Sequence, residues 1–77
     1  MGNDEQLNLV NLPWPLSILK CNRQMVEMVP GERLDVTVKE SATKDNLVKL
    51  LKTMRGYEFE VCFSHGCYRL SIRKRSA

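Results

Sequence analysis

Apolar and polar residues alternate in three parts of the chain, near its beginning, around its middle and through its last third. A period of two is typical of strands that bury one face and leave the other in water. We therefore predict a first, weakly patterned strand over residues 6–10 and a second strand over residues 33–39. The apolar face of the second strand requires a layer of helices to cover it.

A helical period connects these two strands. From Pro13 to about Val29 the apolar residues gather on one half of a helical wheel, which we predict to face the core. This half contains Ile18, Leu19, Cys21, Met25, Val26, Met28 and Val29. The opposite half contains Ser17, Lys20, Arg23, Gln24 and Glu27. Proline is well tolerated at the first helical position, so Pro13 or Pro15 is expected to begin the helix.

A second helix follows the middle strand, with Ser41 or Thr43 as its predicted N-cap and Gly56 at its end. Its predicted inward stripe consists of Leu47, Val48, Leu50, Leu51 and Met54. Its predicted solvent-facing residues are Lys49, Lys52 and Arg55. The helix is thus expected to pack on the sheet with one apolar stripe.

The last third of the chain is predicted to be a β-hairpin. A two-residue turn at His65-Gly66 pairs Phe63 with Tyr68, Val61 with Leu70 and Phe59 with Ile72, so that the apolar residues share one face. The same register pairs Cys62 with Arg69 and sets Cys62 diagonal to Cys67. A four-residue loop over 63–66 would instead set the two cysteines opposite each other, where a disulfide becomes possible. We favour the two-residue turn, and hence free thiols.

Together the elements give the order β-α-β-α-β-β. A right-handed crossover places the first helix on one face of the sheet, and the second helix is expected to join it there. We predict an α+β fold, a two-layer α/β sandwich with a mixed four-stranded sheet and both helices on one face. With 77 residues the chain has room for a single domain, 1–77. Its ordered core is expected over about 6–74, with disorder at residues 1–5 and 75–77.

Composition narrows the classes of function. The 12 basic residues exceed the 9 acidic ones by too little to indicate a nucleic-acid-binding protein. With only 6% aromatic residues in a chain this short, we expect a core too small to enclose a substrate and therefore a shallow site. The sequence has neither a long apolar run nor a secretory signal, which favours a cytoplasmic protein whose three cysteines are reduced.

Several segments together resemble one family. They are Leu12-Pro13-Trp14-Pro15, the turn Pro30-Gly31-Glu32, the stretch 40–47 and the end Ile72-Arg73-Lys74. From about Leu7 to Lys74 the chain resembles the TusA/SirA/YedF family of small sulfur-carrier proteins, in which Cys-Pro-x-Pro opens the first helix. Here Leu12 stands where that motif has its cysteine, the family's Asp and Gly before the motif are missing, and the preceding loop is shorter.

The resemblance implies that members of the family carry sulfur on a cysteine thiolate at the start of this helix. The helix N-terminus stabilises the negative charge of that thiolate. Leu12 cannot carry sulfur. Our first hypothesis is therefore a non-catalytic domain on the family's scaffold, Pro13 and Pro15, that binds a protein of a sulfur-relay or redox system. We expect no enzymatic activity, cofactor or metal. The residues expected to bind the partner are Trp14, Arg69, Arg73 and Lys74.

The cysteines suggest an alternative. Cys21 lies at the edge of the apolar arc and is expected to be a buried, inert thiol. Cys62 and Cys67 fall on the polar face of the hairpin near Arg69, which favours a thiolate, so a persulfide or redox site there is the second hypothesis. With His65 they do not provide the four ligands of a zinc site. A third hypothesis, a small RNA-binding module, is not supported by interleaved aromatic residues.

Overall fold

A computed structural model of the chain describes residues 4–13 and 15–75. Its elements are β1 (Asp4–Asn8), α1 (Leu16–Val26), β2 (Arg33–Val38), α2 (Ser41–Thr53), β3 (Tyr57–Ser64) and β4 (Cys67–Lys74). The predicted order β-α-β-α-β-β is confirmed. The predictions for Trp14 and for the chain ends at 1–3 and 76–77 concern positions outside the described residues.

The four strands form one mixed sheet in the order β1-β2-β4-β3. β1 runs parallel to β2, and the other two neighbouring pairs are antiparallel. A parallel neighbour cannot be reached by a tight turn, so the chain crosses back through α1. The first strand was expected over 6–10 but begins at Asp4, because main-chain pairing with β2 starts at Arg33 and Asp4 is its partner.

The register places the apolar residues of all four strands on one face of the sheet. One row across it consists of Leu7, Val36, Leu70 and Val61, each opposite the next. The buried core residues are Leu7, Leu9, Cys21, Met25, Met28, Leu34, Val36, Val38, Leu47, Leu51, Leu70 and Ile72. Each fully buried aliphatic side chain contributes about 1.5–3 kcal/mol, so this layer between sheet and helices stabilises the domain. The prediction of a two-layer α+β sandwich is confirmed.

The first helix differs from its prediction in length and in orientation. It begins at Leu16, after both prolines, and ends at Val26. Its buried face is formed by Ser17, Cys21 and Met25, which repeat every four residues. Leu19 lies two residues before Cys21, about 160° away around the helix, and points to solvent.

The predicted inward half was therefore too wide. Leu19, Val26 and Val29 are exposed, whereas Ser17, assigned to the polar half, is fully buried. A helix packed on a sheet buries only a stripe of its surface, and in α1 that stripe is formed by Ser17, Cys21 and Met25.

The second helix matches its prediction except at its start. Leu47 and Leu51 are buried, and Lys49, Lys52 and Arg55 are exposed. The N-cap is Glu40 and makes no side-chain cap hydrogen bond, so neither Ser41 nor Thr43 has the predicted capping role. Gly56, with φ of 90°, supports the turn that leads into β3.

The predicted hairpin register is confirmed at every pair. Phe63 faces Tyr68, Val61 faces Leu70 and Phe59 faces Ile72. The turn residues His65 and Gly66 have φ of 53° and 76°. Two consecutive positive φ angles are typical of the two-residue turn whose twist matches that of the flanking strands.

Candidate functional site

The segment that leads to α1 is held against the end of the sheet. The Leu9 N–H donates to the carbonyl of Thr37 at 2.9 Å, which extends the contact between β1 and β2 by one bond. The Val10 N–H donates to the Asn8 side-chain oxygen at 2.9 Å, and the Leu12 N–H donates to the Leu9 carbonyl at 3.1 Å. These bonds form a compact turn that delivers Leu12 to the start of the helix.

The two prolines determine how α1 begins. Pro15 is the N-cap, and the first turn closes through bonds from the Ser17 N–H to Pro13 O at 3.2 Å and from the Leu19 N–H to Pro15 O at 3.1 Å. Proline has no N–H, so it leaves fewer unpaired donors at this end of the helix. Pro13 is a main-chain acceptor before the helix rather than its first residue.

Leu12 packs partly into the core at this position. It is half-buried against the core cluster, and beside it lie Leu16, 53% exposed, and Leu19, 60% exposed. The three leucines line an open depression of about 590 Å³, which we call the α1 groove. Its other lining residues are Lys20, Arg23, Gln24 and Glu27. Contiguous exposed apolar surface with a polar rim is characteristic of interaction sites.

The α1 groove was not predicted from the sequence. The helical pattern predicts that Leu19 faces the core, and Leu16 is in neither of the two predicted halves of the helix. The spacing of Leu12, Leu16 and Leu19 by four and then three residues is the signal that could have identified this stripe. It was obscured because the opposite stripe of the same helix is also largely apolar.

Cys21 behaves as predicted. It is fully buried on α1, with its sulfur 3.9 Å from that of Met25. Burial in an apolar environment disfavours the charged thiolate and raises the pKa of Cys21 to about 12. A thiol in this state is a poor nucleophile at neutral pH.

The other two cysteines lie on the open face of the sheet, as predicted. Cys62 is exposed and pairs across the hairpin with Arg69, whereas Cys67 is half-buried and pairs with Ser64. All three cysteines of the protein are free thiols. Both hairpin thiols line one shallow depression of about 280 Å³, which we call the hairpin depression. Its remaining lining residues are Thr37, Ser64, His65 and Arg69.

The basic residues expected to bind a partner do not form one surface. Arg69 and Arg73 lie on the open face of the sheet. Lys74 points to the opposite side, where its Nζ donates to the carbonyl of Met28 at 3.0 Å and lies 5.8 Å from the centre of the Tyr57 ring. Alternation along β4 separates Lys74 from Arg73, because successive side chains point to opposite faces.

The centre of the open face is occupied by a polar cluster. Asp35 accepts a hydrogen bond from the Arg33 guanidinium at 3.1 Å and another from the Ser71 hydroxyl at 2.9 Å. The bond from Arg33 is the main cause of the lowered pKa of Asp35, which Ser71 lowers further. These charges are largely satisfied within the sheet, so the cluster is a structural feature of the open face.

Metal binding and membrane insertion each require a feature that can be looked for in the described residues. Among residues 4–13 and 15–75, no group of three or more His, Cys, Asp or Glu side chains is arranged to hold a metal ion. Within the same part of the chain, no helix is both long and apolar enough to cross a membrane.

The sequence of the chain matches the model of a known protein family. The sequence model of the family described as "Sulfurtransferase TusA" matches residues 5–74, nearly the whole chain. The chain belongs to the TusA family. The match includes every element of this TusA-family domain except the first residue of β1, so the resemblance based on the prolines and the turn sequences is confirmed.

A solved structure has the same architecture. The crystal structure of a SirA-like protein from Desulfitobacterium hafniense superposes with a TM-score of 0.80 and covers 94% of this chain and 99% of its own. The two sequences are 19% identical, so the likeness concerns the fold. A search of curated proteins gave no match.

Proposed function

We propose that this TusA-family protein binds a protein partner at the start of α1 and does not carry sulfur there. The observation that carries the proposal is Leu12, which stands directly before Pro13 and packs half-buried against the core. An aliphatic side chain has no atom that can accept sulfur, but it extends the apolar surface of Leu16 and Leu19. The scaffold that elsewhere presents a thiol here presents a hydrophobic groove.

The chemistry of the α1 groove indicates what kind of partner fits. Its floor is apolar, and its rim carries Lys20, Arg23 and Glu27, with Arg23 and Glu27 in a loose surface pair at 3.9 Å. A partner segment with apolar side chains and an acidic flank would cover the leucines and meet the two basic residues. Trp14 lies between the prolines in the sequence, and tryptophan is frequent among residues that dominate binding energy, so we propose it as a further partner-binding residue.

The partner is proposed to be a protein of a sulfur-relay or redox system. Membership of the TusA family and the presence of the family's two prolines before α1 support this proposal. A domain that docks on such a system without carrying sulfur would occupy or organise a binding site rather than transfer a group.

Leu19→Lys tests the proposal, because it places a charge in the groove at a position that is already exposed. Val29→Lys is the matched control, since Val29 is 57% exposed and does not line the groove. Proteins captured from the native cell extract by the wild-type chain are identified, and their affinity is then measured with purified components. We expect Leu19→Lys to weaken binding at least about ten-fold and Val29→Lys to have little effect. Equal loss in both variants, or in neither, would contradict the proposed surface.

A second candidate function rests on the hairpin depression, which brings Cys62 and Cys67 together with His65 and Arg69. Either thiolate could attack the outer sulfur of a donor persulfide, form a cysteine persulfide and release the donor as a thiol. Incubation with a persulfide donor followed by peptide mapping tests it. A mass increase of one sulfur atom on either residue, above that of the denatured chain, supports this function, and no such increase excludes it.

A further inference from the structure

β3 forms one edge of the sheet. The strand order β1-β2-β4-β3 gives it a single neighbour, β4, and no other strand in the described part of the chain pairs with its outer side. β3 is eight residues long, Tyr57–Ser64, which is longer than most strands that proteins leave at an edge. An unpaired edge of this length is a template for another strand.

The hairpin turn determines which main-chain groups are free on this edge. In a two-residue hairpin the residues that flank the turn form a hydrogen-bonded pair, here Ser64 with Cys67. Hydrogen-bonded pairs alternate along an antiparallel ladder, so the N–H and C=O groups of residues 58, 60, 62 and 64 point to β4. Those of Phe59, Val61 and Phe63 point away from the sheet.

The side chains at the end of the same strand are also incompletely covered. Tyr57 and Phe59 pack against the core, but Val61 is 40% exposed and Phe63 is 63% exposed. The centre of the Phe63 ring lies 4.8 Å from that of Tyr68 on β4. Free main-chain groups and exposed apolar side chains therefore coincide on the Val61–Phe63 portion of the edge.

We propose that β3 pairs antiparallel with β3 of a second copy of this chain. The pairing joins the two four-stranded sheets into one continuous sheet about a two-fold axis perpendicular to it. Residues directly opposite each other in an antiparallel pair share a face, so the helices of both copies lie on the same side. This inference is independent of the proposed function, because β3 contributes no residue to the α1 groove.

The residue pattern of β3 favours its own copy as the occupant. When the axis passes through Val61, that residue faces its symmetry mate and Phe59 faces Phe63 twice. Phe59, Val61 and Phe63, whose main-chain groups are free, then each face an apolar residue of the other copy. The Phe63 side chain, left uncovered by the helices, is covered by Phe59 of the other copy.

The residues on the opposite face favour this register over the one centred on Glu60. With the axis at Val61, Glu60 faces Cys62 and Glu58 faces Ser64, so no two carboxylates are opposite each other. With the axis at Glu60, that residue would face its own copy, which is destabilising. Cys62 is short and lies opposite Arg69 on β4, so the Arg69 guanidinium can extend over it toward Glu60 of the other copy.

The oligomeric state of the purified, reduced protein is the first test. We expect a monomer–dimer equilibrium in sedimentation measurements over a wide range of concentrations. Val61→Pro removes an N–H that points away from β4, so it blocks the new pairing and spares the hairpin. Phe63→Lys charges the same edge without altering the backbone and serves if the proline variant does not fold. Val29→Lys, at a position that is 57% exposed and belongs neither to β3 nor to the α1 groove, is the matched control.

We expect both edge variants to weaken dimerisation at least about ten-fold and the control to leave it unchanged. A chain that remains monomeric at its highest soluble concentration overturns the proposal, and so does a dimer that is insensitive to both edge variants.

A disulfide cross-link tests the register. Glu60→Cys in a Cys67→Ser background places a new thiol opposite Cys62 of the other copy, in a non-hydrogen-bonded pair with Cα atoms about 4.5 Å apart. Mild oxidation is expected to give a covalent dimer. Glu58→Cys in the same background is the control, because it would face Ser64. Faster cross-linking of the control, or of the parent through Cys62 alone, overturns the register centred on Val61.

Discussion

The segment before α1 and the β3–β4 hairpin differ in which chemical features of a thiolate site each of them has. The first has two prolines and a helix N-terminus but no ionisable side chain from Val10 to Leu16. The second has two free thiols near a histidine and an arginine, on a strand pair without a helix to stabilise a negative charge. A scaffold suited to a thiolate and the accessible thiols themselves are thus on different parts of this domain.

At the start of α1, the geometry of the main chain and the chemistry of the side chain at position 12 are separate properties. The turn bonds accepted by Asn8 and Leu9 and the helix-closing bonds accepted by Pro13 and Pro15 involve mainly main-chain atoms. They hold position 12 in place whichever side chain it has. Replacing a cysteine by a leucine at such a position would therefore change function while the fold persists.

Introducing a thiol at position 12 is the strongest test of this contrast. We expect Leu12→Cys, in a background with Cys62→Ser and Cys67→Ser, to gain about one sulfur atom per chain from a persulfide donor, because the helix N-terminus favours the thiolate. Leu19→Cys in the same background is the control, as it is exposed but lies beyond the first turn of α1. Peptide mapping by mass spectrometry measures both. Equal uptake by the two variants would contradict a special role of the helix start.

The cysteines already present should differ by orders of magnitude in reactivity. Cys21 is fully buried, so its alkylation near neutral pH requires opening of the fold, whereas Cys62 is exposed. We expect Cys62 to be labelled in the native protein and Cys21 only at the rate of unfolding. Timed alkylation with peptide mapping, compared with the denatured chain, gives the two rates. Fast labelling of Cys21 in the native protein would show that the face of α1 described as packing on the sheet is wrongly assigned.

Burial of Cys21 also predicts a dependence of stability on pH. Its pKa is raised from 9.0 to about 12, so the folded state holds a proton that the unfolded chain has lost between those values. The stabilising effect of the neutral thiol is fully present below pH about 9 and is lost as the pH rises toward about 12. Urea unfolding over this range should show a smaller decline for Cys21→Ala than for the wild type. Cys62→Ser is the control and should retain the wild-type decline.

The smallest expected effect concerns Ser17, on the same buried stripe. Its hydroxyl is buried and has no hydrogen-bond partner within the described residues. Removing an unpaired buried hydroxyl relieves its desolvation cost, so we expect Ser17→Ala to raise the free energy of unfolding by about 1 kcal/mol. Urea denaturation measures the change. A loss of stability instead would show that the hydroxyl makes a bond in solution.

Much of the fold could be predicted because its signals are local. The period-two alternation of residues 57–64 and 67–74 and the dipeptide His65-Gly66 determine the hairpin register, since a slip by one residue would expose every apolar side chain. The positions of α2 and its buried stripe follow in the same way from a clear helical period. For the candidate site, the sequence predicted that the first helix begins near the two prolines and that Cys21 is buried. It also predicted that Cys62 and Cys67 lie on the polar face of the hairpin.

The sequence by itself determined the element order, the hairpin register and the absence of a thiol before Pro13. Only the tertiary structure decided that α1 buries Ser17 rather than Leu19 and that β1 starts at Asp4. The physical reason is that local patterns depend on a residue's own neighbours in the chain. The face of a helix with apolar residues on two sides, and the extent of an edge strand, depend on which surface the rest of the fold brings against them.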